Sequence, residues 1–129
     1  RYPGPLYTYD RPGLQNMGKG EIRRGTGVII YAIGLAELMG ASPIVLVGAD
    51  LAYPDNRSHA TGVNKVDETF DCMTEVPSFS GRPIASDVYF RANIEEISDA
   101  IKGGVSIIQT SEAGAYIPGA RHGRLVDVL

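Results

Sequence analysis

The stretch Pro43-Ile-Val-Leu-Val-Gly48-Ala-Asp50-Leu-Ala-Tyr53 decides the fold that we expect for this chain. Its apolar part is short, β-branched and bounded by Pro and Gly, which is typical of a central parallel strand buried on both faces. Only Gly40-Ala-Ser-Pro43 separates this strand from the apolar stretch before it. Such tight helix-to-strand connections are typical of doubly wound folds. The sequence therefore predicts an α/β domain of Rossmann type.

The segments on either side of this strand predict a helix and a hairpin. Residues 27–39 are apolar nearly all the way round, which predicts a helix buried on several sides. Thr26 is the expected N-cap of this helix, and Gly40 is the expected stop. Residues 69–86 contain two strand-like stretches around Ser80-Gly81, which predicts a β-hairpin.

The second half of the chain predicts an amphipathic helix and another strand. Residues 87–102 carry apolar side chains at spacings of four, three and four, which places them on one helical face. They are Phe90, Ile94, Ile97 and Ile101. Ser86 or Asp87 is the expected cap, and Gly103-Gly104 ends the helix. Val105–Gln109 then predicts a parallel strand, and Leu125–Leu129 could begin a last helix.

Composition excludes several classes of protein. The net charge is −3 and the basic residues are scattered, so nucleic-acid binding is not expected. No apolar stretch reaches the roughly 18 residues of a membrane span, and no signal peptide opens the chain, so we expect a cytoplasmic protein. Cys72 is the only cysteine, which rules out a disulfide within the chain. We expect Cys72 to be a partly buried strand residue.

The first 25 residues differ from the rest. They hold three prolines, five glycines and three tyrosines, which predicts an irregular entry segment ahead of an α/β domain over residues 26–129. The chain does not open with Met, and we expect it to be part of a longer unit.

Two polar loops follow the two predicted parallel strands, and ligands bind at that edge of open α/β sheets. In the first loop, Asp50 could hold a metal bound to phosphates, accept from a sugar hydroxyl or act as a base, or it could simply cap the loop backbone. His59 could be a general acid or base or a phosphate contact, or an exposed loop residue. Asp55 is typical of turn chemistry, and Ser58 adds a hydroxyl.

The second loop is Gln109-Thr110-Ser111-Glu112-Ala113-Gly114-Ala115. Small residues such as Gly114 let a ligand approach the backbone, and the hydroxyls of Thr110 and Ser111 can bind phosphate or hydroxyl groups. Glu112 is a candidate base or ribose-hydroxyl acceptor, or a capping residue. His122 is expected in a surface loop. Glycine-rich phosphate loops, zinc spacings and a serine nucleophile elbow are all absent from the sequence.

These loops resemble the 6-hydroxymethylpterin diphosphokinase-like family, which includes the bacterial motility accessory factors that glycosylate flagellin. The resemblance covers roughly residues 20–129 and is carried by Gly34–Gly40, Pro43–Tyr53, Ser58–Gly62 and Thr110–Gly119. In the last of these, Ser111 stands between Thr and Glu, and Ala113 replaces a Gly. The family's opening Gly-Pro-Ser-Leu type turn, its nucleotide grip, has no match here, so we expect the chain to be the C-terminal part of that domain.

The resemblance implies a Rossmann-like fold and a transferase acting on a nucleotide or nucleotide-sugar. The Ser58-His59-Ala loop favours the glycosyltransferase branch, which moves a nonulosonic acid from a CMP carrier to a protein hydroxyl. The alternative branch is a pterin diphosphokinase using ATP and magnesium, with Asp50 as the metal ligand. A non-catalytic binding fragment is the third alternative. The oligomeric state stays open. The expected site residues are Asp50, His59 and Glu112 for catalysis and Gly48, Asp55, Ser58, Thr110, Ser111 and Gly114 for binding.

Overall fold

A computed structural model describes residues 22–54 and 73–128 of the chain. Within these ranges two helices and five strands form an α/β arrangement, as the sequence predicted. In chain order the elements are α1 Val28–Leu38, β1 Ile44–Leu46, β2 Met73–Pro77, β3 Pro83–Asp87, α2 Val88–Lys102, β4 Ile107–Gln109 and β5 Arg121–His122, followed by a 3-10 helix Leu125–Asp127.

Three of the strands form a parallel sheet in the order β1-β4-β5. Ile44 pairs with Ile107, and Gln109 pairs with both Leu46 and His122. The parallel pairing of the two predicted strands is confirmed. The expected central position of β1 is wrong for the described part of the chain, because β1 lies at the edge of this sheet and Val47 is exposed. An apolar run shows that a strand packs on its faces but does not show whether both of its edges are paired.

Helix α1 forms where it was predicted, with two differences. Gly27 is the N-cap, and no side chain caps the helix. The Thr26 hydroxyl instead donates to Glu96 on α2, over 2.7 Å. Ile30 and Ile33 are buried, but Val28 is 84% exposed and Leu38 is 62% exposed, so the expected burial on several sides is wrong. The helix is covered on one side only in the described structure.

The end of α1 follows the prediction. Gly40 has a φ of +78°, the left-handed conformation that glycine adopts without a Cβ penalty. Its N–H donates to the Glu37 carbonyl, and the N–H of Ala41 donates to the Ala36 carbonyl. These bonds satisfy carbonyls of the last turn and direct the chain into β1.

The hairpin is confirmed, with β2 and β3 antiparallel and Gly81 in the turn at a φ of +79°. Its predicted start and Cys72 lie outside the described residues. The hairpin leads directly into α2, since β3 ends at Asp87 and the helix begins at Val88.

Helix α2 is predicted best. Asp87 is the N-cap, and its carboxylate accepts from the N–H of Phe90 over 2.7 Å. Ile94 and Ile97 are buried, and Phe90 and Ile101 pack against the same core. Gly103 is the C-cap, as expected.

The core lies between the two helices and the parallel sheet. Its largest apolar members are fully or almost fully buried, and they come from both helices, both predicted strands and the loop after β4. They are Ile30, Ile33, Leu46, Ile94, Ile97, Ile107 and Ile117. The carboxyl ends of the sheet strands leave this core side by side, and they position the candidate site.

Two C-terminal features differ from the prediction. Residues Arg121–His122, expected as a surface loop, form strand β5. The expected last helix is a single 3-10 turn in the described residues. A two-residue strand is too short to show any periodicity in sequence, so it could not be predicted from alternation.

Candidate functional site

The loops after β1 and β4 meet at the carboxyl edge of the sheet. The Ser111 hydroxyl donates a hydrogen bond to the Asp50 carboxylate. The N–H of Ala115 donates to the Asp50 carbonyl over 2.8 Å. Since carboxyl ends of parallel strands form the ligand-binding edge of α/β sheets, the two predicted loops contribute to one site, and they are in direct contact.

Gly114 makes this contact possible. A Cβ on Gly114 would lie 2.5 Å from the Asp50 carbonyl oxygen and 2.7 Å from the Asp50 Cα. The residue is buried against the first loop. The close approach predicted at Gly114 is therefore made by the backbone of the neighbouring loop, and a ligand-binding role for this glycine is not needed to explain it.

Thr110 and Gly48 also have local roles. The Thr110 hydroxyl donates to the Leu46 carbonyl over 2.8 Å, and the Thr110 N–H donates to the same oxygen over 3.1 Å. This hydroxyl is thereby used to tie β4 to β1. Gly48 has a φ of +67° and lets the chain turn out of β1. Both residues shape the edge from which Asp50 and Ser111 emerge.

The chain after Asp50 is anchored in the core, although the sequence predicted a polar loop there. Leu51, Ala52 and Tyr53 are buried, and Leu51 has a φ of +50°. The Ser86 hydroxyl donates to the Leu51 carbonyl over 2.9 Å, and the Tyr53 hydroxyl donates to the Asp87 carboxylate. A left-handed conformation at a leucine costs roughly 1–3 kcal/mol and persists only where its surroundings enforce it. These contacts hold Asp50 in a fixed position.

A cavity of about 230 Å³ lies beside Ser111, at the ends of β4 and β5. Its walls include Phe79 from the hairpin turn, Gln109 from β4 and His122 from β5. The His122 ring stacks against Phe79 and against Tyr116, with its centroid 5.0 Å from each. The expectation of a surface-loop histidine is wrong, because pairing with β4 draws His122 into the site.

Three buried polar atoms of residues that line the cavity have no hydrogen-bond partner among the described residues. They are the Gln109 Oε1 and both ring nitrogens of His122. The Gln109 side chain is 1% exposed, and its Nε2 donates to the Ala49 carbonyl over 2.7 Å. A buried polar group without a partner costs about 1–3 kcal/mol, so these atoms require an explanation. The sequence offered no signal for Gln109 beyond its position at a strand end.

Glu112 stands between two cavities. It lines the cavity beside His122 and also a second one of about 340 Å³, which the hairpin residues Ser78, Ser80 and Arg82 border. Its carboxylate lies 3.8 Å from the Arg124 guanidinium, and both side chains are exposed. Glu112 is thus the predicted acidic residue with access to both sides of the site.

Asp55, Ser58 and His59 lie outside the described residues, so their predicted roles stay predictions. Within residues 22–54 and 73–128, no group of three or more His, Cys, Asp and Glu side chains could hold a metal ion. The helices in these same ranges include none that is long and apolar enough to cross a membrane.

Comparison of the chain with models of protein families, with curated proteins and with solved structures gives no match.

Proposed function

We propose that this chain is a Rossmann-like domain of a nucleotide-activated transferase, of the glycosyl type, that moves a nonulosonic acid from a CMP carrier to a protein hydroxyl. The observation that carries the proposal is the position of Glu112, which lines two adjoining cavities at the carboxyl edge of a parallel sheet. A transferase needs two substrates on either side of one acid–base group. The resemblance of the two loops to motility accessory factors supports the choice of a glycosyl donor.

The acid–base step assigns a role to Glu112. Its carboxylate takes the proton from the acceptor hydroxyl as the oxygen attacks the anomeric carbon. The bond between that carbon and the phosphate oxygen breaks, and its electron pair leaves with the CMP phosphate. Arg124, 3.8 Å from Glu112, supplies positive charge beside the leaving phosphate. Asp50, fixed by its backbone contacts, accepts from a sugar hydroxyl.

Binding of CMP and of a CMP-linked nonulosonic acid to the full-length protein, measured by calorimetry, tests the nucleotide half of this proposal. We expect saturable binding to the wild-type full-length protein, and weaker binding of the CMP-sugar to its Asp50→Asn variant than to wild type. Asp99→Asn is the matched control, since Asp99 is an exposed carboxylate on α2 that pairs with Lys102. Absence of any binding or thermal shift with either compound would refute the proposal.

Release of CMP from the CMP-sugar tests the catalytic half. Glu112→Gln is expected to slow release by about 10²–10⁴-fold while CMP still binds, because the variant keeps its shape and loses its basicity. Glu95→Gln, an exposed helical glutamate paired with Arg91, should leave the rate unchanged. Magnesium-dependent ATP binding, with transfer of the pyrophosphoryl group to a pterin hydroxyl and release of AMP, would instead identify a diphosphokinase. A partner protein bound without either nucleotide would identify a non-catalytic module.

A further inference from the structure

The hairpin cavity, the one of about 340 Å³ that Ser78, Ser80 and Arg82 border, is lined by an arginine without a partner. Arg82 is exposed. Its guanidinium takes part in none of the ion pairs and hydrogen bonds that the described residues make. A guanidinium carries only N–H donors and stays charged at any working pH. Arg82 is therefore free to bind an anionic group that enters this cavity.

The backbone around Arg82 is held in place. Within the hairpin turn, the N–H of Ser78 donates to the Arg82 carbonyl over 2.8 Å. The N–H of Tyr116 donates to the Pro77 carbonyl over 2.7 Å. The second bond ties the hairpin to the loop after β4, which carries Glu112. The walls of the hairpin cavity thus come from two segments that are fixed to each other.

Two serine hydroxyls line the same cavity. The Oγ atoms of Ser78 and Ser80 lie 2.9 Å apart and share a hydrogen bond, in which either can be the donor. Whichever hydroxyl donates, the other keeps an O–H that this bond does not use, and both oxygens can still accept. Ser80 is exposed and Ser78 is partly buried. The pair can therefore both donate to and accept from a ligand that carries hydroxyl groups.

Glu112 adds a second requirement for the ligand. It lines the hairpin cavity and is exposed, and its carboxylate can only accept hydrogen bonds. Its ion pair among the described residues is with Arg124 and not with Arg82. A ligand satisfies both residues if it brings an anionic group for Arg82 and a hydroxyl for Glu112. The other walls are apolar and suit a carbon skeleton; they include Pro54, Pro83 and Ile84.

A sugar acid carries both kinds of group on one skeleton. Its carboxylate matches the forked N–H groups of a guanidinium, and its hydroxyls can donate to Glu112 and bond to the serine pair. A phosphate dianion carries more negative charge than the single Arg82 offsets, and Glu112 would repel it. The cavity volume of about 340 Å³ lies within the roughly 300–1,000 Å³ typical of small-molecule sites.

We propose that the hairpin cavity binds the sugar acid of the donor, with the Arg82 guanidinium paired to its carboxylate and the Ser78–Ser80 pair bonded to its hydroxyls. The inference rests on the proposed function, which takes a nonulosonic acid as the transferred group, and it adds the residue that recognises this group. Glu112 then lies at the edge of the sugar site, where the proposed function requires its carboxylate. Arg82 binds the donor and takes no part in the proton transfer.

Titration of the full-length protein with N-acetylneuraminic acid, its methyl ester and CMP, followed by NMR of each ligand, tests the site. The ester keeps the hydroxyls and loses the negative charge, so it should bind about tenfold more weakly than the acid, or weaker still. Arg82→Gln should lower the affinity for the acid to that for the ester and leave the affinity for CMP unchanged. Arg91→Gln is the matched control, because Arg91 is an exposed arginine on α2 that pairs with Glu95, and it should bind all three compounds like wild type.

The outcomes separate the two proposals. If CMP does not bind, the proposed function fails, and the comparison of acid with ester still decides the sugar-acid site. If acid and ester bind wild type equally, or if Arg82→Gln binds the acid as tightly as wild type, the sugar-acid site is wrong, and CMP binding leaves the proposed function standing. Tighter binding of glucose 6-phosphate than of the acid would indicate a phosphate site and would also overturn the inference. A melting curve checks that each variant is folded.

Discussion

Replacing Gly114 with alanine should separate the two loops that build the site. The new Cβ would lie 2.5 Å from the Asp50 carbonyl oxygen and 2.7 Å from the Asp50 Cα, both backbone atoms. Ordinary contacts between such atoms are about 3.5–4.0 Å, so one loop must move by roughly 1 Å. The first loop is pinned by Ser86 and Ala115 through its carbonyls, and it cannot relax as a side chain would.

The magnitude follows from two opposing effects. Overpacking a buried contact costs about 1–3 kcal/mol, and a clash with fixed backbone belongs in the upper half of that range. The alanine also restricts the unfolded chain, which offsets about 0.4–1 kcal/mol. We therefore expect a net loss of about 2 kcal/mol. For a chain of this size that corresponds to a fall in melting temperature of about 8 °C, or about 1 M in the urea midpoint.

Thermal and urea denaturation measure the loss, and hydrogen exchange locates it. The Ala115 amide donates to the Asp50 carbonyl in the native loop contact, so it should lose protection in Gly114→Ala. Gly123→Ala is the control, because the nearest atom to its Cβ would be a Val128 methyl at 3.6 Å, an ordinary contact. If Gly114→Ala melts within about 2 °C of wild type and keeps its Ala115 protection, the two loops are not held in the close contact described above.

Two further predictions concern the packing that supports the site. Ile97→Ala should lower the free energy of unfolding by about 2–5 kcal/mol in urea denaturation, because Ile97 is 0% exposed. Val28→Ala is the control: Val28 is 84% exposed, so this variant should change the free energy of unfolding by less than about 0.5 kcal/mol. Equal effects of the two substitutions would contradict the assigned core. Asp87→Ala removes both the cap on the Phe90 N–H and the acceptor of the Tyr53 hydroxyl, which should cost about 2–4 kcal/mol. Adding Tyr53→Phe should cost less in the Asp87→Ala background than in wild type, and additive effects would exclude the coupling.

The elements that the sequence predicts well are those whose signals are local. Helix α2 has its apolar spacing, its cap at Asp87 and its stop at Gly103 within one continuous stretch. The hairpin has its turn glycine, and α1 has Gly40 at its end. In each case the residues that decide the structure are the ones that form it, so no information from elsewhere in the chain is needed.

The burial of α1 and the position of β1 required information that is not local. An apolar helix face and an apolar strand look the same in sequence whether their neighbours lie on one side or on both. The exposure of Val28, Leu38 and Val47 depends on which elements stand next to them. Thr26 shows the same limit, since its hydroxyl binds Glu96, seventy positions away, instead of capping the helix beside it.

The residues of the candidate site also fall into two groups, those that local sequence signals predict and those that depend on distant pairing. Asp50, Ser111 and Glu112 could be predicted because each follows a recognisable strand, and strand ends meet at one edge. Gln109 and His122 could not, since their significance comes from the pairing of β4 with a two-residue strand. That pairing places Gln109 and His122 side by side at one cavity. Neither residue is chemically unusual in the sequence, so nothing in the sequence indicates this position. Buried polar atoms without a partner are visible only once the fold is known.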